Sequence, residues 1–170
     1  MSDLEAIKQA VIKGKRKDIA GLVQVAIDAG ADPQEIINGY MIEAMKEVGA
    51  RFEAKKIFVP EMMIAARTMQ SGVDVIKPLI AAGDEIKKIG TVVMGTVFGD
   101  LHDIGKNLVV LLLESSGFEV INIGENVTSE DFVEKARELK ADVVGMSSLL
   151  TTGDPHLKST IEAFKKSDLN

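Results

Sequence analysis

Gly99-Asp100-Leu101-His102-Asp103-Ile104-Gly105-Lys106-Asn107 gathers one of the chain's two histidines, a pair of aspartates and a pair of glycines. A neutral imidazole is a good ligand for a transition metal. A carboxylate bonded to its other ring nitrogen fixes the tautomer and raises the ligand's basicity. Asp100, two residues before His102, is placed to be that carboxylate, and Gly105 lets backbone pass close to something bulky at a helix start. The same Asp-, His- and Asn-rich residues also suit plain capping of a helix that begins near Lys106. A self-contained zinc or iron site does not fit, because the chain has no cysteine, His156 is the only other imidazole, and structural zinc wants about four ligands. Nor is this a phosphate loop, since Gly99 to Gly105 lacks the required spacing and no hydroxyl follows Lys106. A phosphoacceptor aspartate would need an acidic pair after the first strand, and none is there.

A second cluster, Gly145-Met146-Ser147-Ser148-Leu149-Leu150-Thr151-Thr152-Gly153, is rich in hydroxyls. Placed after a parallel strand, such side chains can hydrogen-bond a polar ligand or simply cap their own loop.

Two kinds of element must position these clusters. Up to Gly83 the chain reads as helices only. Apolar residues recur every three or four positions at Leu4, Ile7, Val11 and Ile12, and again from Ile19 to Ile27 before Gly30. Asp32-Pro33 starts a third helix, closed by Gly49, and Pro60 opens a fourth that ends near Pro78. From Thr91 the period changes. A β-rich, almost continuously apolar run to Phe98 predicts a strand buried on both faces, followed by a helix from about Lys106 to Ser115. A strand over 118–123, a helix over 129–139 with Ser129 as N-cap, a strand over 142–147 and a helix over 155–166 complete the alternation. That order predicts parallel pairing with right-handed crossovers, where ligands bind beyond the carboxyl ends of strands. The expected architecture is α plus α/β: a four-helix domain over 1–83, a linker over 84–90, and a flavodoxin- or Rossmann-like parallel-sheet domain over 91–170.

Composition narrows the function classes. The chain has 170 residues with 20 basic and 26 acidic side chains. The whole deficit lies after residue 83, where 9 basic residues face 15 acidic ones. That sign repels phosphate backbones, so nucleic acid is not an expected partner. Apolar stretches stop well short of the roughly 20 residues of a membrane span. With no cysteine and no basic-then-apolar leader, a cytoplasmic location is expected.

Taken together, Gly95-Thr96-Val97-x-Gly99-Asp100-x-His102-Asp103-Ile104-Gly105-Lys106-Asn107 and, some forty residues on, Ser147-x-Leu149 with Thr151 resemble the cobalamin-binding domains of corrinoid proteins. Upstream, Gly49-x-x-Phe52-Glu53 and Phe58-Val59-Pro60-Glu61-Met62 look like the helical cap of the methyl-transferring members. These include the methanol, methylamine and O-demethylase corrinoid proteins, and the cobalamin-binding region of methionine synthase is similar.

The resemblance implies a cobalamin held with its own base withdrawn into the sheet. His102 would ligate cobalt from below as the metal ligand, and Asp100 would hydrogen-bond it. Gly99, Asp103, Ile104 and Gly105 would belong to the same cofactor loop, with Gly105 making room for the nucleotide tail. Ser147, Leu149 and Thr151 would line the tail slot, and Ser147 would complete the relay from His102 through Asp100. In the cap, Phe58, Met62 and Met63 would contact the upper face, unless the Met stripe is ordinary core. The family implies a methyl carrier in an anaerobic methyltransferase system, without a complete active site of its own. Its partners would be a substrate-specific methyltransferase, an acceptor methyltransferase acting on a pterin or thiol, and a reductive activating protein. A cobalamin-binding sensor module is the alternative reading. Against the family pattern, which continues through a Gly-Gly strand and one more, this chain reads as truncated after Asn170, with its third strand at the sheet edge.

Overall fold

The computed structural model describes residues 3–79 and 88–169. They fall into two compact units, one helical and one α/β. The expected linker over 84–90 lies largely outside the described residues.

The helical unit comprises α1 (Asp3–Ile12), α2 (Arg16–Asp28), α3 (Pro33–Glu35) running through a π-helical turn (Ile36–Met41) into α4 (Ile42–Glu53), and α5 (Val59–Ile76). Chain reversals fall where the backbone needs a left-handed residue, at Gly14 (φ +65°) and Gly30 (φ +87°). Asp32 caps α3 by accepting the Gln34 N–H at 3.0 Å, and Pro33 occupies the first helical position. Gly49 does not close the third helix as expected. Helix α4 runs on to Glu53, because a single glycine in helical conformation costs only about 1 kcal/mol and Val48 and Met45 are already anchored in the core. The π-turn was not foreseen. It buries Ile36, Ile37 and Met41, and a Cβ on Gly72 would meet Met41 Cε at 2.5 Å. Glycine at 72 is what permits that close packing of α5.

The α/β unit comprises β1 (Thr91–Thr96), α6 (Ile104–Ser115), β2 (Glu119–Asn122), α7 (Ser129–Glu138), β3 (Val143–Ser147) and α8 (Asp154–Lys166). The strands are parallel in the order β2-β1-β3, so β3 lies at the edge of the sheet, as the flavodoxin-like order predicts. Thr91 pairs with Glu119 at one margin of β1, and Thr96 with Ser147 at the other. Side chains of β1 alternate between faces. Val92 and Met94 pack with Val110 and Leu113 of α6, whereas Val97 packs with Phe132 of α7 and Leu157 and Phe164 of α8. Gly95 lies under Phe132, whose ring atoms would come within 2.8 Å of a Cβ there. Both faces of the central strand are therefore covered, and its carboxyl end is held in place from both sides.

Two details differ from expectation. Thr128, not Ser129, caps α7, accepting the Asp131 N–H at 3.2 Å. Ser129 instead hydrogen-bonds Ser159 and Thr160 of α8, each at 2.9 Å. Adjacent hydroxyls both satisfy the capping preference, and only the packing of α8 on α7 separates their roles.

Candidate functional site

The loop 97–103 leaves the carboxyl end of β1 through Gly99, at φ +79°. It is stitched to the segment after β2: Gly99 N–H donates to Asn126 Oδ1 at 2.8 Å, and Asn126 N–H donates to the Asp100 carbonyl at 3.1 Å. Thr96, fully buried, donates its hydroxyl to the His102 carbonyl at 3.4 Å. Lys106 is also buried, and its Nζ donates to the Gly124 carbonyl at 2.7 Å, tying the first turn of α6 to the same segment. The loop is thus held by the fold along its whole length.

Asp100 is the centre of this site, with only 1% of its surface exposed. Its Oδ1 accepts the His102 backbone N–H at 2.9 Å and lies 2.7 Å from His102 Nδ1. Its Oδ2 accepts the backbone N–H groups of Leu149 at 2.7 Å and Leu150 at 3.3 Å, and the Ser148 hydroxyl at 3.4 Å. The N–H groups of His102 and then Leu149 hold its carboxyl well below the usual carboxylate range, overriding burial, which pushes the other way. Asp100 is therefore an anion at neutral pH. An anionic acceptor at Nδ1 makes that nitrogen the protonated one, which leaves the lone pair of a neutral imidazole on Nε2. The His102 side chain is 53% exposed, so that lone pair is open to a ligand.

Around His102 the loop presents apolar side chains outward. Leu101, Ile104 (87% exposed), Leu149 (70%) and Leu150 all lie at the carboxyl end of the sheet. Gly105, in the first turn of α6, would have nothing within 4 Å of an added Cβ. Asp103 is tied to the first turns of α6: its carboxylate accepts from the Asn107 side-chain amide, Nδ2, at 2.7 Å, and its carbonyl accepts the Asn107 N–H at 2.8 Å. Contacts to the helix start and to the imidazole therefore coexist in one loop, on different aspartates.

Of the other residues singled out from the sequence, Ser147 does not reach Asp100. It ends β3, where its carbonyl accepts the Val97 N–H at 3.0 Å. The hydroxyl at Asp100 is that of Ser148, because successive residues leaving a strand face opposite sides. Thr151 is exposed and begins a single 3₁₀ turn, Thr151–Gly153. In the helical unit Phe58 is 67% exposed at the N-cap of α5, where its N–H donates to Glu61 Oε2 at 3.1 Å. Met62 is buried and Met63 is half-buried.

Among the described residues no group of three or more His, Cys, Asp or Glu side chains could hold a metal ion. A single open imidazole bordered by apolar side chains suits a metal that arrives with most of its ligands already in an organic ring. Nor is any helix among the described residues long and apolar enough to cross a membrane.

Comparison with known proteins points the same way. Residues 3–77 match one B12 binding domain family and residues 90–170 another. The chain is 43% identical to dimethylamine corrinoid protein 1 of Methanosarcina acetivorans, over 98% of this chain and 78% of that protein. It is 36% identical to a corrinoid protein of Desulfitobacterium hafniense, over 99% of this chain and 79% of that one. Among solved structures it is similar to the methanol:cobalamin methyltransferase complex of Methanosarcina barkeri, with a TM-score of 0.90 and 29% identity, covering 99% of this chain but only 64% of that one. A cobalamin-binding protein of Desulfitobacterium hafniense follows, with a TM-score of 0.73 and 34% identity, over 97% of this chain and 78% of that chain. The chain belongs to the cobalamin-binding corrinoid proteins of methyltransferase systems, and its cofactor is a corrinoid.

Proposed function

We propose that this chain carries a methyl group between two methyltransferases on a corrinoid whose cobalt is ligated from below by His102. The observation that carries this reading is the His102–Asp100 pair: a buried anion fixes Nδ1 and leaves an exposed Nε2 in the middle of an apolar surface. When bound, the corrinoid supplies a strongly nucleophilic cobalt centre, which lets one methyl transfer be split into two displacements. The chain's own residues orient and hold. Asp100 keeps the imidazole in one tautomer, Leu101, Ile104, Leu149 and Leu150 offer apolar contact to the macrocycle, and Gly105 leaves space for the tail, with Ser147 and Thr151 beside the slot. Gly99 and Asp103 shape the loop, and Phe58 and Met63 are the exposed or half-buried candidates in a cap that spans 1–83.

On this reading the donor pocket belongs to a substrate-specific methyltransferase. Support comes from the methanol complex, which pairs a methyltransferase with a cobalamin protein, and from relatives named for dimethylamine. A pterin or thiol methyltransferase would take the methyl group, and a reductive activating protein would restore the carrier after oxidation. Loaded chain mixed with a dimethylamine- or methanol-specific methyltransferase and its donor should become methylated stoichiometrically, read as the change in corrinoid absorption. A loaded chain that no such enzyme methylates, yet that changes its binding to another protein on illumination or on cofactor exchange, would favour a sensor module instead.

Gly105 provides a test that leaves the fold alone. A Cβ there has no atom of a neighbouring element within 4 Å, and valine's helix propensity is no worse than that of glycine. Gly105→Val should therefore unfold at the same denaturant concentration as the unmodified ligand-free chain. It should retain corrinoid about tenfold less well, since overfilling a packed contact costs about 1–3 kcal/mol. Equal retention on gel filtration would remove Gly105 from the tail site.

A further inference from the structure

The segment that follows β2 meets the end of β1 out of regular register. Thr96 donates its N–H to the Gly124 carbonyl at 3.0 Å, and its carbonyl accepts the Val127 N–H at 2.9 Å. One residue of a regular parallel ladder bonds two partner residues that lie two positions apart, so a separation of three marks a bulge with one residue to spare. Both ends of the bulge are fixed. The Gly124 carbonyl also accepts the buried Lys106 Nζ at 2.7 Å, and Val127 is buried with Phe132. Between them Asn126 is left-handed, at φ +55°, a conformation that asparagine tolerates and branched residues do not. Freed from the ladder, Asn126 bonds the loop after β1 instead. Its Oδ1 accepts the Gly99 N–H at 2.8 Å, and its own N–H donates to the Asp100 carbonyl at 3.1 Å.

We infer that Asn126 is a positioning residue for the loop that carries His102, holding the peptide groups on either side of Gly99 and Asp100. The inference rests on the reading of His102 as the metal ligand. The Asp100 N–H donates to the Val97 carbonyl at 3.1 Å, closing a four-residue turn whose third residue is Gly99, at φ +79°. A positive φ at that place belongs to a type II turn. Conversion to type I would turn the Phe98–Gly99 peptide over and carry the Gly99 N–H away from Asn126. The acceptor on Asn126 therefore favours one of two turns that the same closing bond allows. That choice sets the backbone on which the Asp100 carboxylate stands, 2.7 Å from His102 Nδ1. Residue 126 must combine a left-handed backbone with a short acceptor. Glycine offers only the first, and aspartate offers both.

NMR of the ligand-free chain tests this. Asn126→Gly keeps the left-handed backbone and the N–H that reaches Asp100, and removes only the acceptor of the Gly99 N–H. Exchange of the Gly99 amide should quicken about fivefold, the worth of one ordinary hydrogen bond. Because the turn moves as a unit, the His102 ring should respond as well: its nitrogen-15 signals should shift and its Nδ1–H signal broaden, while the urea midpoint of unfolding hardly moves. Asn126→Asp should return both the Gly99 protection and the His102 signals towards those of the unmodified chain. Gly99→Ala, which strains the turn from the other side of the same contact, should alter the His102 signals in the same sense as Asn126→Gly. A faster Gly99 amide beside an unaltered His102 ring in Asn126→Gly overturns the positioning role. Equal spectra for Asn126→Asp and Asn126→Gly overturn the part given to the acceptor. Adding hydroxocobalamin to the unmodified chain tests the ligand assignment separately. Absence of imidazole ligation there ends that assignment, while the His102 response measured without cofactor still decides whether Asn126 holds the loop.

Discussion

In a His102→Ala chain loaded with hydroxocobalamin, the imidazole-ligated absorption spectrum should be lost completely, while a residual fraction of corrinoid stays bound through the tail slot. The argument begins with Asp100. Its carboxylate is buried and saturated by donors, so it cannot turn outward to replace the missing nitrogen. No second imidazole stands in either, because His156 is edge-on to Phe98, with ring centroids 5.3 Å apart, on the face of the sheet that carries α8. Water or the cofactor's own base would have to fill the position. Alanine removes neither the Asp100 contacts to the Leu149 and Leu150 amides nor the space at Gly105, so the ligand-free fold should be unaffected. Added imidazole is expected to restore part of the spectrum by entering the vacated position. A variant whose holo spectrum matches that of the unmodified chain would sink the ligand assignment.

Phe132→Ala should produce the largest loss of stability from a single residue. Phe132 is completely buried, and its ring lies over Gly95, against Val97 and Val127 and beside Ile123 and Met146. Truncating a fully buried phenylalanine costs about 3–5 kcal/mol through lost transfer energy and the cavity left behind. Domains are stable by only about 5–15 kcal/mol, so this change approaches the limit for the α/β unit. Gly95 has no side chain with which to refill the space, which places the cost toward the upper end. Urea denaturation followed by circular dichroism reads the change directly. The cavity lies under the last residues of β1, so corrinoid retention should fall as well, although no cofactor contact has been touched. A loss below about 1 kcal/mol would mean that α7 collapses onto the sheet, and that Phe132 does not hold the end of β1.

Much of this arrangement was legible in the residues. The β-rich run from Thr91, almost continuously apolar, reads as a strand buried on both faces, and β1 is the central parallel strand with neighbours on both sides. Asp100 and His102, two residues apart in a loop after such a strand, were readable as carboxylate and imidazole because sequence-local geometry sets their contact. The failures share one cause. Ser147 and Ser148, or Thr128 and Ser129, are chemically equivalent neighbours, and only the direction of the chain in space says which hydroxyl meets which partner. Gly49 misleads for a related reason: a glycine that reads as a helix end sits inside a helix whose neighbouring residues are anchored in the core.

The sequence by itself therefore determined the division into a helical and an α/β part, the parallel pairing of the strands, the family, and the carboxylate–imidazole pair in the loop after β1. These follow from periodicity and from contacts between near neighbours. The tertiary structure alone decided how that imidazole is held, by a buried carboxylate whose two oxygens accept from different loops. Asp100 and the Leu149 amide are forty-nine positions apart, and their meeting at 2.7 Å depends on β1 and β3 lying side by side. No local pattern encodes that distance. It is set by the pairing of strands and the packing of helices on both faces of the sheet.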